Sequence, residues 1–341
     1  MQALLYFNIM IDYKKLVKII TENKSFLLST HVNPDADAIG SEIAMFNILK
    51  QSGKKVRIIN HSALPYNLQF LDPENKIEKY DKEKHDDLFD KSDVIVALDF
   101  NKADRLVSMQ QPFEKSTSLK ICIDHHQDAG NAFDHHFVGT DYSATGHIIY
   151  DFLKKTNIAE LNSEIANPIY AAIMTDTGSF RFERTNSELH RIIADLLEYD
   201  VDPVKIYGEI YDENKLNKIK IFGKALSSLK VIGNGRISYM LITQNDFEEV
   251  DAIESDTDNI VEYSLTVENV ILGMLFIEHK DGFKVSLRSK GNIPVNKLAK
   301  EFDGGGHTNA AGVRIHDSRL EEILPKILER AEFYINNHLR E

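Results

Sequence analysis

The sequence predicts an α/β protein, with a doubly wound, mainly parallel sheet in an N-terminal domain and a smaller α/β C-terminal domain across a cleft. Three observations carry this expectation. Short apolar runs each enter a polar or glycine-containing turn, stretches of helical periodicity separate them, and the alternation stops after Tyr199. A chain of 341 residues is also long enough for two domains, each with its own core.

Ser25 to Thr30 (SFLLST) reads as the first buried strand. Ile39, Ile43, Phe46 and Leu49 then recur at helical spacing, and Gly53 stands where a helix C-cap falls. Val56 to Ile59, Val94 to Leu98 (VIVAL) and Ile121 to Ile123 (ICI) read as further buried strands. Helices fit Ser143 to Lys155, Asn162 to Met174 and Ser187 to Tyr199. The stretch from Asp200 to Leu226 is charged and helical and lacks strands, so the expected division is a catalytic domain over 1–200, a helical linker over 201–222 and a substrate-binding domain over 223–341. In that last part Ile237 to Ile242, Val270 to Ile277 and Phe283 to Leu287 read as strands, with His279-Lys280-Asp281-Gly282 as a hairpin turn. A helix from Pro294 to Phe302 leads into Gly304-Gly305-Gly306.

With 43% apolar and 27% charged residues and no Trp, the composition is that of a soluble globular protein. A net charge of −13 opposes a protein that grips long duplexes by neutralising phosphates. The single cysteine, Cys122, reads as a buried strand residue; it excludes an intramolecular disulfide and a multi-cysteine metal site and fits a reducing compartment. The start, MQALLYFNIMIDYKK, lacks the basic opening and cleavage site of a signal peptide, and no segment approaches a membrane span. The expected location is the cytoplasm, with no membrane partner.

Open α/β sheets bind ligands beyond the carboxyl ends of their strands. There the sequence is rich in metal-type ligands. His31, Asp35 and Asp37 follow SFLLST, Asp99 follows VIVAL, Asp124-His125-His126 follow ICI, and Asp176 ends the helix that begins near Asn162. One such residue is ordinarily a cap or a solvated loop side chain, but four groups in one topological position point to a site. Asp35 and Asp37 can face two neighbouring ions and a carboxylate such as Asp99 can bridge them. Mixed imidazole and carboxylate ligation suits Mn²⁺, with Mg²⁺ and Co²⁺ as alternatives. Two such ions hold an attacking hydroxide and stabilise the leaving oxygen, which makes metal-assisted phosphate ester hydrolysis the expected reaction. A second Asp-His-His, Asp134-His135-His136, follows a loop-like approach with no buried strand, so the first copy is taken as the site.

HVNPDADAIGS, VALDFNKADRL, CIDHH and AAIMTDTGSFRF together resemble, in order, the four N-terminal motifs of the DHH phosphoesterases. SLRSKG (Ser286 to Gly291) and GGGHTNAAG (Gly304 to Gly312) resemble the DHH-associated C-terminal domain, so the resemblance covers nearly the whole chain. It implies that His31 and Asp35 hold one metal, that Asp37, His125 and Asp176 hold the other, and that Asp99 bridges. It further implies that His126 either supports the metal ligands from behind or faces the substrate phosphate, and that Asp124 orients the histidine pair.

The glycine triplet lets backbone amides approach an anion, and Arg288, Lys290 and His307 add a local basic face. Arg288, Ser289, Gly304, Gly305, Gly306 and His307 are therefore the expected substrate-binding residues. A two-domain chain of this layout resembles the family's enzymes that degrade very short oligoribonucleotides (nanoRNA) and remove the 3′-phosphate from adenosine 3′,5′-bisphosphate. The alternatives are a pApA phosphodiesterase and, from another class, a non-catalytic nucleotide-binding regulator. Pyrophosphatase and long-strand RecJ-type readings fit less well, given the SLRSKG and GGGH segments and the acidic balance. The expected partners are short single-stranded RNA or nucleotide phosphates and a second copy of the chain in a homodimer.

Overall fold

A computed structural model of the chain describes residues 11–127, 130–306 and 308–338. The first ten residues and His307 lie outside that range. Two compact units divide between Glu213 and Asn214.

In the first unit β1 (Ser25–Ser29), β2 (Lys55–Asn60), β3 (Ile77–Lys79), β4 (Val94–Leu98), β5 (Leu119–Asp124) and β6 (His135–Val138) form one sheet. The order is β3-β2-β1-β4-β5-β6 and every pairing is parallel. This is a doubly wound order, and its direction reverses between β1 and β4. The central strands β1, β4 and β5 read as largely apolar runs because both faces are covered. Phe26, Leu28, Val96 and Ile123 pack into the core on one face, and Leu27, Ile95, Ala97 and Cys122 meet Phe89, Phe113 and Phe133 on the other.

The helices are α1 (Tyr13–Glu22), α2 (Ala36–Gln51), α3 (Lys82–Lys91), α4 (Gln110–Lys115), α5 (Thr145–Thr156), α6 (Ser163–Asp176), α7 (Ser187–Leu197) and α8 (Pro203–Tyr207). Helix α2 starts on an Asp35 N-cap and ends before Gly53, whose φ of +73° is the left-handed turn expected there. Two strands escape the sequence pattern. β3 is only three residues long, and β6 is an edge strand with polar residues at its start. The second Asp-His-His is thus not in a loop, as expected, but at the amino end of β6.

The second unit opens with α9 (Leu216–Ser227) and builds a sheet from β7 (Lys230–Ile232), β8 (Ile237–Ile242), β9 (Leu272–His279), β10 (Gly282–Ser289), β11 (Gly305–Gly306) and β12 (Ala310–His316). The order is β11-β12-β10-β9-β8-β7, with β8 and β9 parallel and the rest antiparallel. Gly282 stands opposite His279, so the anticipated hairpin turn is present. Short helices α10 (Gln244–Val250), α11 (Ile260–Ser264) and α12 (Val295–Lys300) precede a long α13 (Leu320–His338) that the sequence reading did not anticipate. Ile327, Ala331 and Ile335 of α13 pack on Phe276, Val285 and Leu287. Among the described residues no helix is long and apolar enough to cross a membrane.

Candidate metal centre

The switch between β1 and β4 places the segments after these two strands side by side. His31 leaves β1 with its Nδ1 donating to the carbonyl of Val32 at 2.9 Å, which turns Nε2 toward Asp99 Oδ2, 3.4 Å away. Asp35 caps α2: its Oδ1 accepts from the amides of Asp37 and Ala38 at 3.0 and 3.1 Å, and the residue is otherwise exposed.

Asp37, in the first turn of α2, is fully buried. Its carboxylate sits on the N-terminus of α5, accepting from the amides of Thr145 at 2.7 Å and Gly146 at 2.9 Å and from Ser41 Oγ at 3.2 Å. Residue 146 has to be glycine there, because a Cβ would fall 2.5 Å from that of Ala172. Asp99 adopts φ +65° as β4 ends, and its amide donates to Ile123 across to β5 at 3.1 Å. Its two oxygens serve different neighbours. Oδ2 faces His31, while Oδ1 accepts from Thr145 Oγ1 at 2.9 Å and lies 3.6 Å from His125 Nε2 and 3.7 Å from His126 Nδ1.

Asp124-His125-His126 leave the carboxyl end of β5. His125 Nε2 lies 3.1 Å from Asp176 Oδ2 and 3.6 Å from Asp37 Oδ2, and its Nδ1 is buried without a hydrogen-bond partner among the described residues. His126 Nδ1 meets Asp124 Oδ1 at 2.7 Å. Asn101 Nδ2 donates to the carbonyls of His126 and Gln127 at 3.3 and 3.2 Å, and the Asn101 carbonyl accepts from Gly130 at 2.9 Å, so both ends of the histidine loop hang on one residue. Asp176 is the last residue of α6, which stops abruptly in three successive left-handed residues, Gly178, Ser179 and Phe180.

Three ligand sets converge within 4.8 Å: His31, Asp35 and Asp99; Asp37, His125 and Asp176; and Asp99, His125 and His126. Every residue expected at the centre is therefore brought together. Electrostatics set the demand for cations there. Burial, then Asp176, pushes Asp37 up to about 7, and burial followed by Asp37 and Asp35 raises Asp99 well above the ordinary carboxylate range. Burial lowers His31, which favours the neutral ring with a lone pair on Nε2. At His125 burial acts downward, but the bonded Asp176 and then Asp37 outweigh it and push the ring up to about 9. Asp124 is held below its usual range despite burial, because His126 donates to it. Carboxylates this close repel one another until a cation lies between them, and a neutral imidazole among oxygen donors suits a divalent ion. The donor sets could hold metal.

Thr145, Gly146, Ser41 and Asn101 escaped the sequence reading. The first two had a visible signal, since Thr-Gly at a helix start offers amides to an anion. Asn101 and Ser41 had none.

In the second unit Arg288 Nε donates to Glu262 Oε1 at 2.6 Å and Nη1 to its neighbour's carbonyl, that of Leu287, at 3.1 Å. Ser289 is buried, and its hydroxyl donates to Ile293 at 2.7 Å. Asn309, also missed, binds Ser289 and Gly291 through Nδ2. The glycines are not a free loop as expected: Gly305 and Gly306 pair with Gly312 and Ala311 as edge strand β11. Gly304 and Gly306 are required by packing, since Cβ atoms there would fall 2.4 Å from the carbonyls of Gly312 and Ala310. Gly305 is exposed and open.

Comparison with known proteins matches residues 25–173 to the DHH family N-terminal domain and residues 239–337 to the DHHA1 domain. The bifunctional oligoribonuclease and PAP phosphatase NrnA of Thermus thermophilus is 31% identical over 89% of this chain and 87% of its own length. The protein of the same name from Bacillus subtilis is 27% identical over 89% and 93%. The crystal structure of an exopolyphosphatase-related protein from Bacteroides fragilis superposes with a TM-score of 0.90 at 30% identity, covering 96% of this chain and 97% of that one. With both domains matched in order and these relatives spanning nearly its full length, the chain belongs to the DHH family and is a phosphoesterase of the hydrolase class.

Proposed function

We propose that the protein uses two divalent ions, Mn²⁺ by preference, to hydrolyse short oligoribonucleotides and to remove the 3′-phosphate from adenosine 3′,5′-bisphosphate. The observation that carries this reading is Asp99, whose two oxygens face separate imidazoles at the meeting point of the ligand sets. The names of the relatives from Thermus thermophilus and Bacillus subtilis support the substrate class.

His31 and Asp35 would hold one ion, Asp37, His125 and Asp176 the other, with Asp99 shared. Ions held there supply an activated water and charge neutralisation on the attacking and leaving oxygens. The remaining work falls to the chain. Thr145 and the amides of α5 fix the orientations of Asp99 and Asp37. Asp124 keeps a proton on His126 Nδ1 and aims that ring, about a third exposed, at the phosphate. In this division of labour the first unit carries the chemistry and the second binds the nucleotide through Arg288, Ser289, Gly304, Gly305, Gly306 and His307.

The test is product analysis on a panel of adenosine 3′,5′-bisphosphate, pApA, a five-residue RNA, a long single strand and pyrophosphate, after EDTA and again after Mn²⁺. Turnover of the bisphosphate and the short RNA that EDTA abolishes and Mn²⁺ restores is expected. No turnover of any substrate with Mn²⁺ would contradict the reading. Arg288→Ala should weaken the nucleotide substrates by about 2 to 4 kcal/mol, one or two charge-assisted hydrogen bonds, and leave bis(p-nitrophenyl) phosphate unchanged.

A further inference from the structure

Arg105 lies in the turn of residues 103–109 that follows β4, on the same sheet edge as the candidate ligands, and belongs to none of the ligand sets. Its carbonyl accepts the amide of Val32 at 2.9 Å, which ties it to the residue directly after His31. Two more bonds clamp this edge: the amide of Asn33 donates to Ser62 Oγ at 2.9 Å, and His61 Nδ1 meets Ser108 Oγ at 2.7 Å. Within the clamp Val107 is held at φ 49° and ψ −107°, a conformation a β-branched residue adopts only when its surroundings impose it. The backbone at Arg105 is thus fixed beside the centre at a cost in strain.

The side chain is exposed, and among the described residues no carboxylate lies within ion-pair distance of it. Charge balance gives such a cation a use. Asp35, Asp37, Asp99, Asp124 and Asp176 bring five negative charges to the cluster. Two divalent ions bring four positive ones, which leaves an anionic centre that an anionic phosphate must approach. An exposed guanidinium carried on this anchored backbone offsets it, and its planar fork matches two phosphoryl oxygens.

We propose that Arg105 binds the non-bridging oxygens of the phosphoryl group undergoing hydrolysis, a binding contact distinct from the nucleotide-binding residues around Arg288. The inference rests on the two-metal reading for its setting. Its test uses Arg105→Ala and Arg105→Lys in the full chain, with Lys102→Ala, an exposed cation directly before that turn, as the comparison. Orthophosphate binding to the Mn²⁺-loaded protein needs no turnover and is read alongside Mn²⁺ affinity and the kinetics of bis(p-nitrophenyl) phosphate and a short RNA. For Arg105→Ala we expect Mn²⁺ affinity as in the parent and orthophosphate affinity lower by roughly ten- to a hundredfold, the scale of one or two charged hydrogen bonds. The small ester and the RNA should lose by the same factor, since both present the same phosphoryl group. Arg105→Lys should recover part of the affinity, and Lys102→Ala should match the parent. Parental orthophosphate affinity in Arg105→Ala would overturn the assignment, as would an equal loss in Lys102→Ala or a loss of Mn²⁺ affinity. A parent that binds Mn²⁺ but turns over nothing would sink the proposed function, while the orthophosphate result would still decide the role of Arg105.

Discussion

The two Asp-His-His tripeptides lie on neighbouring parallel strands yet differ in everything that matters to chemistry. Asp124 stands opposite Val138, and His135 stands opposite Ile121. The second copy therefore starts four positions lower on the sheet, about 13 Å along the strand direction. The first copy leaves the carboxyl end of β5, where His125 meets three carboxylates. The second opens β6 at its amino end, where Asp134 Oδ2 accepts the amide of Lys120 at 2.8 Å and His136 lies exposed against Phe133. The tripeptide is the same; the strand end decides whether imidazoles converge with carboxylates or secure a sheet edge.

The comparison can be broken most forcefully at Asp99, on which the first copy converges and which the second does not approach. Asp99→Asn is expected to cost more than about a thousandfold in turnover with the fold intact, well beyond the ~10 to 100-fold typical of groups outside the ligand set. Near-normal turnover at saturating Mn²⁺ would remove Asp99 from the centre. Next comes the matched pair. His125→Ala should lose several hundredfold or more, above the same ~100-fold mark, whereas His135→Ala should turn over like the parent; the reverse would exchange the two copies. Asp124→Asn acts one step removed, through His126, and should lower turnover by about 10 to 100-fold while Mn²⁺ affinity holds. An unchanged rate would leave the 2.7 Å contact without a catalytic consequence. The smallest effect belongs to Asp134→Ala, which should cost about 1 kcal/mol or less of unfolding free energy, one exposed hydrogen bond at the sheet edge, and nothing in turnover.

The same contrast explains what could be read without coordinates. β1, β4 and β5 were legible because a sheet covered on both faces demands unbroken apolar runs, and their ends located His31, Asp99 and Asp124. β6 was not, since an edge strand beginning His-His needs apolar residues only where Phe137 turns inward. Asn101 was illegible, and so was the choice of Asp99 as the partner of the Thr145 hydroxyl, because these contacts span 25 and 46 residues and only the fold creates them. The glycine triplet carries a second demand that the sequence did not show: the absence of a Cβ at Gly304 and Gly306 permits close backbone packing within a strand rather than a free loop.

The most direct test of the account is the number of Mn²⁺ ions bound per chain, measured by equilibrium dialysis on the parent, His125→Ala and His135→Ala. Two ions on the parent and on His135→Ala, with fewer on His125→Ala, is the predicted result. Two ions on His125→Ala together with a loss on His135→Ala would contradict it and place the metal centre at the other end of the sheet.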